Sequence, residues 1–219
     1  MTPQPPAGVR IVRVTDRFPE PAFSDLQRQV FAALQQPSEA WAQTLATESQ
    51  PEPAPALANQ PPMVRFGAYE RPQTCRCASG PPRGSSKLGS GPSLAWEGDT
   101  LVGWSCGWFE RGRTYYMANS GVRPSHQRQG IYSALLNQVL AFARDSGAVL
   151  VRSQHSVLNN TVLIAKLAHG FHISGLSQSA QMGLLVELTC HLSAPRERLY
   201  AQRCLPYAER EVGKPPPLP

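Results

Sequence analysis

The prolines of this chain are unevenly distributed, and their distribution constrains the fold more than any other feature. The sequence has 219 residues with 22 prolines, and all but Pro124 lie outside residues 94–192. Proline lacks a backbone donor and interrupts helices and central strands. We therefore expect the regular core over residues 94–192, with loops in the flanking stretches. The segment of about 71–92, rich in Pro, Gly and Ser, is predicted to be a mobile insertion.

The charge and cysteine content narrow the class of protein. The net charge of +6 spreads evenly along the chain and forms no basic cluster, so we expect no nucleic-acid partner. No apolar run is long enough to span a bilayer, which argues against a membrane partner. Five cysteines without a secretion signal indicate free thiols and a cytoplasmic protein. Cys75 and Cys77 have no second pair and no nearby His, so no metal site is predicted.

Apolar periodicity predicts a chain that mixes strands and helices. The pattern indicates strands over 9–14, 63–69, 93–96, 101–109, 115–122, 148–151, 171–176 and 182–190, and helices over 23–34, 38–45, 131–142 and 160–168. The segment 196–205 is a further helix candidate. This order is typical of an α/β fold of the α+β kind, with an antiparallel first half and a βαβ crossover in the middle.

One stretch, G-V-R-P-S-H-Q-R-Q-G-I-Y over residues 121–132, carries chemistry because it lies between a predicted strand and a predicted helix. Residues 127–132 are predicted to enter the helix, so their N–H groups lack intrahelical partners and favour a phosphate. Gly130 would let the backbone approach the anion, and Arg123, His126 and Arg128 would add charge at the rim. The alternative is a plain helix start with a solvated basic residue.

This stretch resembles the acyl-CoA loop of the Gcn5-related N-acetyltransferase (GNAT) superfamily, written [Q/R]-x-x-G-x-[G/A] after a strand that ends V-x-P. Gln127 and Gly130 fit the loop, and Val122 and Pro124 fit the end of the strand. Downstream, the pair Asn159-Asn160 and the pair Gly170-Phe171 match a second element of the family, an Asn opening a short helix and a G-F pair closing it.

The resemblance implies a fold and an activity. The implied fold is one GNAT-like domain over 1–195, with a CoA-binding core over about 94–192, and an extension over 196–219 with a disordered end. Its mixed central sheet has about seven strands flanked by helices, and two strands splay apart to form the CoA cleft. The implied activity is acetyl transfer from acetyl-CoA to a primary amine of a small molecule or peptide, by direct attack in a ternary complex. The alternative is a non-catalytic acyl-CoA-binding or sensing module. A second copy of the chain is a further candidate partner.

The resemblance also implies which residues contact the cosubstrate. The backbones of Ser120 and Val122 would bond to the pantetheine arm, the loop would hold the pyrophosphate, and the asparagine pair would lie beside the arm. The cofactor-binding residues predicted in this way are Ser120, Val122, Gln127, Arg128, Gln129, Gly130, Ile131, Tyr132, Ser133, Asn159 and Asn160. Tyr132 takes the last small position of the loop, and we expect its side chain to pack away from the anion.

The usual proton donor and acceptor of the family have no counterpart here. Lys166 stands where many members have a Tyr that protonates the thiolate, and residues 115–122 contain no carboxylate. We interpret Lys166 as an exposed helix residue, with thiolate stabilisation as the alternative. His155, one residue after the strand 148–154, is the candidate base because an imidazole pKa near neutrality suits that task. A loop His bonded to the backbone is the alternative.

The strand before the loop offers polar groups for the acceptor. Asn119 is the second candidate catalytic residue, since it or Tyr116 could orient the acceptor, although the two lie on alternating faces of the strand. Trp104 and Trp108 share one face of their strand. Core packing is the expected role of both, with an aromatic wall for the acceptor as the alternative.

Overall fold

The structure is a computed structural model that describes residues 5–31, 61–71, 98–179 and 182–204. The predicted strand 93–96, the predicted helix 38–45, almost all of the predicted insertion and the end of the chain lie outside these ranges. The strands are β1 (Val9–Val14), β2 (Val64–Glu70), β3 (Thr100–Glu110), β4 (Thr114–Val122), β5 (Leu150–Ser156), β6 (His172–Ser179) and β7 (Gly183–His191). The helices are α1 (Ala22–Phe31), α2 (Ile131–Asp145), α3 (Asn160–Leu167) and α4 (Ala194–Cys204).

The strands form one mixed, open sheet in the order β1-β2-β3-β4-β5-β7-β6. Neighbours are antiparallel in the pairs β1 with β2, β2 with β3, β5 with β7, and β6 with β7. The predicted fold class, a GNAT-like mixed sheet of about seven strands flanked by helices, is confirmed. The type and order of the described elements follow from the apolar pattern, because strands alternate with period 2 and helices repeat with period 3.6.

The chain forms two compact units, and the first comprises residues 1–108 and 117–139. Its core lies under α1, where apolar residues three to four positions apart share one helix face. Leu26 is fully buried on that face, and Phe23 and Phe31 meet the ring of Trp104 edge to face at centroid distances of 5.5 and 5.8 Å. Trp104 is itself fully buried. The core-packing interpretation of Trp104 is therefore confirmed, and Trp108 is half-buried.

The second unit comprises residues 109–116 and 140–219. Phe109, Tyr115 and Phe142 form an aromatic cluster with centroid distances between 5.2 and 6.2 Å. The backbone N–H of Val149 donates to the carbonyl of Arg113 at 2.8 Å, just before β5 begins. This unit thus carries β5, β6 and β7 together with α3 and α4.

The predicted boundary at residue 195 falls inside a helix. Helix α4 begins at Ala194 and so confirms a helix in the segment predicted over 196–205. The single domain over 1–195 and the extension after it stay predictions. Within the residues that the structure describes, no helix has the length and apolar character needed to cross a membrane.

Candidate functional site

The loop between β4 and α2 forms an open turn. A single 3-10 turn over Pro124–His126 follows β4, and α2 begins at Ile131. The helix begins where the apolar spacing predicted it, but residues 127–130 do not enter it as expected, because Arg128 and Gly130 have φ values of 61° and 81° that no α-helix contains. Residues 127–130 approach the helix instead of belonging to it.

The N-terminus of α2 offers backbone donors that have no acceptor within the helix. The first bond within the helix runs from the N–H of Ala134 to the carbonyl of Gly130 at 3.0 Å. The N–H groups of Ile131, Tyr132 and Ser133 precede that bond and have no intrahelical acceptor, and they lie at the positive end of the helix dipole. A Cβ built on Gly130 would meet no protein atom within 4 Å. Space beside these donors is therefore open to an anion.

The glutamines of the loop are bonded to the loop itself. Gln127 Nε2 donates to the carbonyl of Val122 at 3.2 Å, and Gln129 Nε2 donates to the carbonyl of Ser125 at 3.2 Å. The two side chains brace the turn against the end of β4. Their predicted contact with a ligand stays a prediction, and it would fall to their backbone groups.

The basic residues of the loop differ in orientation. Arg123 donates to the carbonyl of Leu101 at 3.0 Å and to Gln29 Oε1 at 3.3 Å. His126 Nε2 lies 3.1 Å from Glu70 Oε2. Neighbouring elements engage both side chains, and the expectation that Arg123 and His126 add charge to the rim stays a prediction. Arg128 remains exposed.

Tyr132 is held by packing. Its hydroxyl oxygen is buried and has no hydrogen-bond partner among the described residues. Burial raises the pKa of Tyr132 above its usual range. The side chain thus packs inward, as expected from the sequence, while its N–H stays at the helix start.

The end of β4 is fixed by side-chain bonds to β3. Trp104 Nε1 donates to Asn119 Oδ1 at 2.8 Å, and Ser120 Oγ donates to Ser105 Oγ at 2.9 Å. The oxygen of Asn119 is therefore committed to the core, which leaves its amide nitrogen for any ligand. A Cβ on Gly121 would lie 2.5 Å from the ring of Trp104. Gly121 is small because that ring passes over it.

In the second unit, β5 and α3 enclose a buried lysine. Lys166 is 1% exposed, and its Nζ donates to Ser153 Oγ at 2.7 Å and lies 4.6 Å from the ring centroid of Phe171. The interpretation of Lys166 as an exposed helix residue is wrong. Burial lowers the pKa of Lys166 to about 7, because desolvation penalises the ammonium form.

His155 lies in the same part of the second unit. It belongs to β5 and pairs with Val186 of β7, whereas the sequence predicted that the strand ends before it. Its Nε2 is buried and has no partner in the part of the chain that the structure describes. Burial and then the charge of Lys166 lower the pKa of His155 to about 3. The expected pKa near neutrality is therefore corrected, and its role as a base stays a prediction.

Asn159 begins α3. Its Oδ1 accepts a hydrogen bond from the N–H of Val162 at 3.3 Å, so Asn159 is the N-cap. Asn160, at which the predicted helix 160–168 starts, is the first helical residue and is exposed. The predicted contacts of both asparagines with the pantetheine arm stay predictions.

The comparison with known proteins agrees with this geometry. The sequence model of the acetyltransferase (GNAT) family matches residues 46–171, which is more than half of the chain. The chain belongs to the GNAT acetyltransferase family. No curated protein matches it significantly.

Solved structures show the same fold at low identity. The ribosomal-protein-S18-alanine N-acetyltransferase from Escherichia coli is 10% identical over 84% of this chain and 95% of that chain, with a TM-score of 0.50. A protein assigned as an N-acetyltransferase from Lactobacillus plantarum is 10% identical over 85% and 99%, with a TM-score of 0.54. One assigned as an acyl-CoA N-acyltransferase from Klebsiella pneumoniae is 16% identical over 84% and 98%, with a TM-score of 0.51. These similarities support the fold alone.

A polar cluster on β5 and its neighbours was missed in the sequence of this GNAT protein. Gln154 Nε2 donates to Glu187 Oε1 at 2.9 Å, and Tyr116 Oη donates to Gln154 Oε1 at 3.2 Å. Arg152 lies 3.6 Å from Glu187 and 3.8 Å from Glu110. Strand β4 lacks a carboxylate, but the second unit holds two near Arg152, Glu110 at the end of β3 and Glu187 on β7. The available signal was that Arg152 and Gln154 are two positions apart and so lie on one face of β5. This spacing does not identify their partners until the register of β5 with β7 is known.

Proposed function

We propose that this GNAT protein transfers an acetyl group from acetyl-CoA to a primary amine. The observation that carries the proposal is the start of α2, where N–H groups without intrahelical acceptors face open space at Gly130. A helix N-terminus of this kind favours phosphate through its donors and its dipole. Membership of an acetyltransferase family supports CoA as the phosphate-bearing molecule.

The proposed contacts to CoA are mainly backbone contacts. The N–H groups of Ile131, Tyr132 and Ser133 would bind the pyrophosphate, and the exposed Arg128 would add a charge that salt screens. Gln127 and Gln129 support the turn through their bonds to Val122 and Ser125. The predicted roles of Ser120, Asn159 and Asn160 along the pantetheine arm belong to the same proposal.

The proposed reaction needs no enzyme nucleophile. The nitrogen of a neutral amine attacks the thioester carbonyl, a C–N bond forms and the C–S bond breaks. CoA leaves with the electron pair of that bond and takes up a proton, while the nitrogen loses one. The chain's task is to position the reactants and to handle these protons. His155 remains the candidate base, and Asn119 remains the candidate residue for orienting the amine.

We further propose that the protein works in the cytoplasm and that its acceptor is a small molecule or a peptide. The free, buried thiols of Cys106 and Cys190 support a reducing compartment. A panel of small amines, polyamines, aminoglycosides and peptides with free N-termini would identify the acceptor through release of free CoA thiol from acetyl-CoA.

Two glycine variants test the CoA site. Gly130 and Gly112 both have positive φ, 81° and 75°, and a Cβ on either meets no protein atom within 4 Å. Alanine should therefore cost about 1 kcal/mol of folding stability at either position. Only Gly130→Ala adds a group beside the donors of α2, so it should raise the Kd for CoA at least about tenfold, or about 1.4 kcal/mol.

Calorimetry measures the affinity of each variant for CoA, and release of CoA thiol measures turnover. Together they distinguish a wrong pyrophosphate site from a protein that binds CoA without catalysis. Equal CoA affinity in Gly130→Ala and Gly112→Ala would remove the assigned pyrophosphate site. Tight CoA binding with no thiol release across the whole amine panel would instead favour the non-catalytic binding module. That second function is favoured by the absence of a carboxylate on β4 and by Lys166 at the position where the family often has Tyr.

A further inference from the structure

Ser125, His126 and Glu70 form a hydrogen-bonded triad within the first unit. Ser125 Oγ lies 2.8 Å from His126 Nδ1, and His126 Nε2 lies 3.1 Å from Glu70 Oε2. A carboxylate only accepts hydrogen bonds, so Nε2 carries the proton of its contact with Glu70. In the neutral imidazole, Nδ1 is then the acceptor, and the hydroxyl of Ser125 donates to it. The order of the contacts is that of a nucleophile, a base and an acid that orients the base.

The backbone holds each member of the triad in place. Ser125 and His126 lie on the 3-10 turn after β4, where the N–H of His126 donates to the carbonyl of Arg123 at 2.8 Å. The carbonyl of Ser125 accepts a hydrogen bond from Gln129 Nε2 at 3.2 Å. Glu70 is the last residue of β2 and pairs with strands on both sides. The triad therefore joins a braced turn to a fixed end of the sheet.

The triad is open to solvent at its nucleophile and protected at its base. Ser125 is exposed, whereas the side chain of His126 is 18% exposed and that of Glu70 is 46% exposed. A serine hydroxyl is a weak nucleophile until a hydrogen-bonded base, itself oriented by a third group, activates it. In the Ser-His-Asp triad, Nε2 faces the serine and Nδ1 faces the acid. The two nitrogens have exchanged places here, and either can accept a proton.

We propose that Ser125 is an activated nucleophile that forms an acyl-serine with small activated carboxylic esters. Its Oγ attacks the ester carbonyl, a new O–C bond forms, and the bond to the leaving oxygen breaks with its electron pair. The hydroxyl proton passes to Nδ1 of His126 and from there to the leaving oxygen or to water. Glu70 stabilises the imidazolium formed between these steps. Water then hydrolyses the acyl-serine, and His126 accepts its proton in the same way.

A fluorophosphonate and p-nitrophenyl acetate are the probes for this site. The fluorophosphonate forms a P–O bond with the serine and loses fluoride, which leaves a stable adduct that peptide mass spectrometry assigns to one residue. The wild type should be labelled at Ser125. Ser24 is the matched control, because it is also exposed but donates directly to a carboxylate, Glu20 Oε2 at 2.7 Å, rather than to a histidine. Labelling at Ser24 should be at least about a hundredfold slower.

Two variants separate activation from exposure alone. His126→Gln removes the base and should slow labelling of Ser125 at least about a hundredfold. Glu70→Gln leaves the base but removes the charge that orients it, and should slow labelling at least about tenfold. Release of p-nitrophenolate from p-nitrophenyl acetate should fall in the same order, and Ser125→Ala gives the background rate.

The outcome does not depend on the proposed acetyl transfer, since neither CoA nor an amine is present. His126 is largely protected from solvent, so Glu70→Gln, at a more exposed position, keeps the test decisive if His126→Gln does not fold. Labelling of Ser125 no faster than that of Ser24, or equally fast in the wild type and Glu70→Gln, would refute the proposal.

Discussion

Replacing Lys166 by methionine should remove a specific dependence of stability on pH. The pKa of this lysine is about 7 in the folded protein, against 10.5 for an unperturbed lysine. Between these values the unfolded chain binds more protons than the folded chain, so the free energy of unfolding rises with pH. Integrating that difference from pH 7 to pH 9 gives a gain of about 2 kcal/mol for the wild type. Lys166→Met should lack this gain.

The measurement is urea unfolding at pH 7, 8 and 9 under reducing conditions, followed by tryptophan fluorescence. Burial raises the pKa of Cys106 and of Cys190 to about 11, so both thiols lower stability as pH rises through their unfolded range. The wild type and Lys166→Met both contain these thiols. Most of the thiol effect therefore cancels when the free energy of unfolding of one protein is subtracted from that of the other.

The slope is the test, because the absolute change at one pH has several sources. Lys166→Met leaves Ser153 Oγ without its donor, which costs about 1–3 kcal/mol at every pH. Relief of the buried charge acts in the opposite direction and only at the lower pH values. A stability difference between the two proteins that stays constant from pH 7 to pH 9 would show that Lys166 titrates normally and would refute the reasoning.

Three further changes test the packing at Gly121, the N-cap of α3 and the pH dependence of stability at His155. Gly121→Ala places a Cβ 2.5 Å from the buried Trp104 ring and 2.9 Å from Val30, so it should destabilise by about 1–3 kcal/mol in thermal unfolding; an unchanged Tm would contradict the packing. Asn159→Ala removes the N-cap of α3 and should cost about 1 kcal/mol, whereas Asn159→Asp should restore most of it. His155 has a folded pKa of about 3, so the unfolded chain binds its proton first and stability falls as pH drops below about 6.5. From pH 7 to 5.5 this amounts to about 1 kcal/mol, and His155→Gln should lose that dependence in urea titrations at the two pH values.

The local pattern was sufficient for most elements and insufficient for their ends. Apolar periodicity located β1, α1, α2 and α3 within a few residues. The end of β5 was missed because His155 and Ser156 are polar, and a polar end of a strand looks like a loop in the sequence. In the structure these residues pair with Val186 and Leu185 of β7. That pairing joins segments about thirty residues apart, and no local signal encodes its register.

The interpretation of Lys166 failed for a related reason. Lysine is almost never fully buried, and its place on a short helix gave no sign that the chain departs from that rule. Lys166 is buried against Phe171, which follows the helix, and against Ser153, which lies thirteen positions earlier on strand β5. Such an environment exists only after the strand and the helix have packed. The sequence therefore shows that a lysine at position 166 is unusual for the family. It does not show that this lysine is buried, or that burial lowers its pKa.

The two glycines of the loop motif are constrained for different reasons, and this difference separates the fold from the ligand site. Gly121 has no side chain because Trp104 occupies the space that a Cβ would need. Gly130 has a φ of 81° and open space beside it, so protein packing does not account for it. The backbone turn explains why glycine is favoured there. The open space beside the donors of α2 is what a bound phosphate would fill. Of the two glycines, only Gly130 therefore leaves room for the proposed phosphate, although both belong to one motif in the sequence.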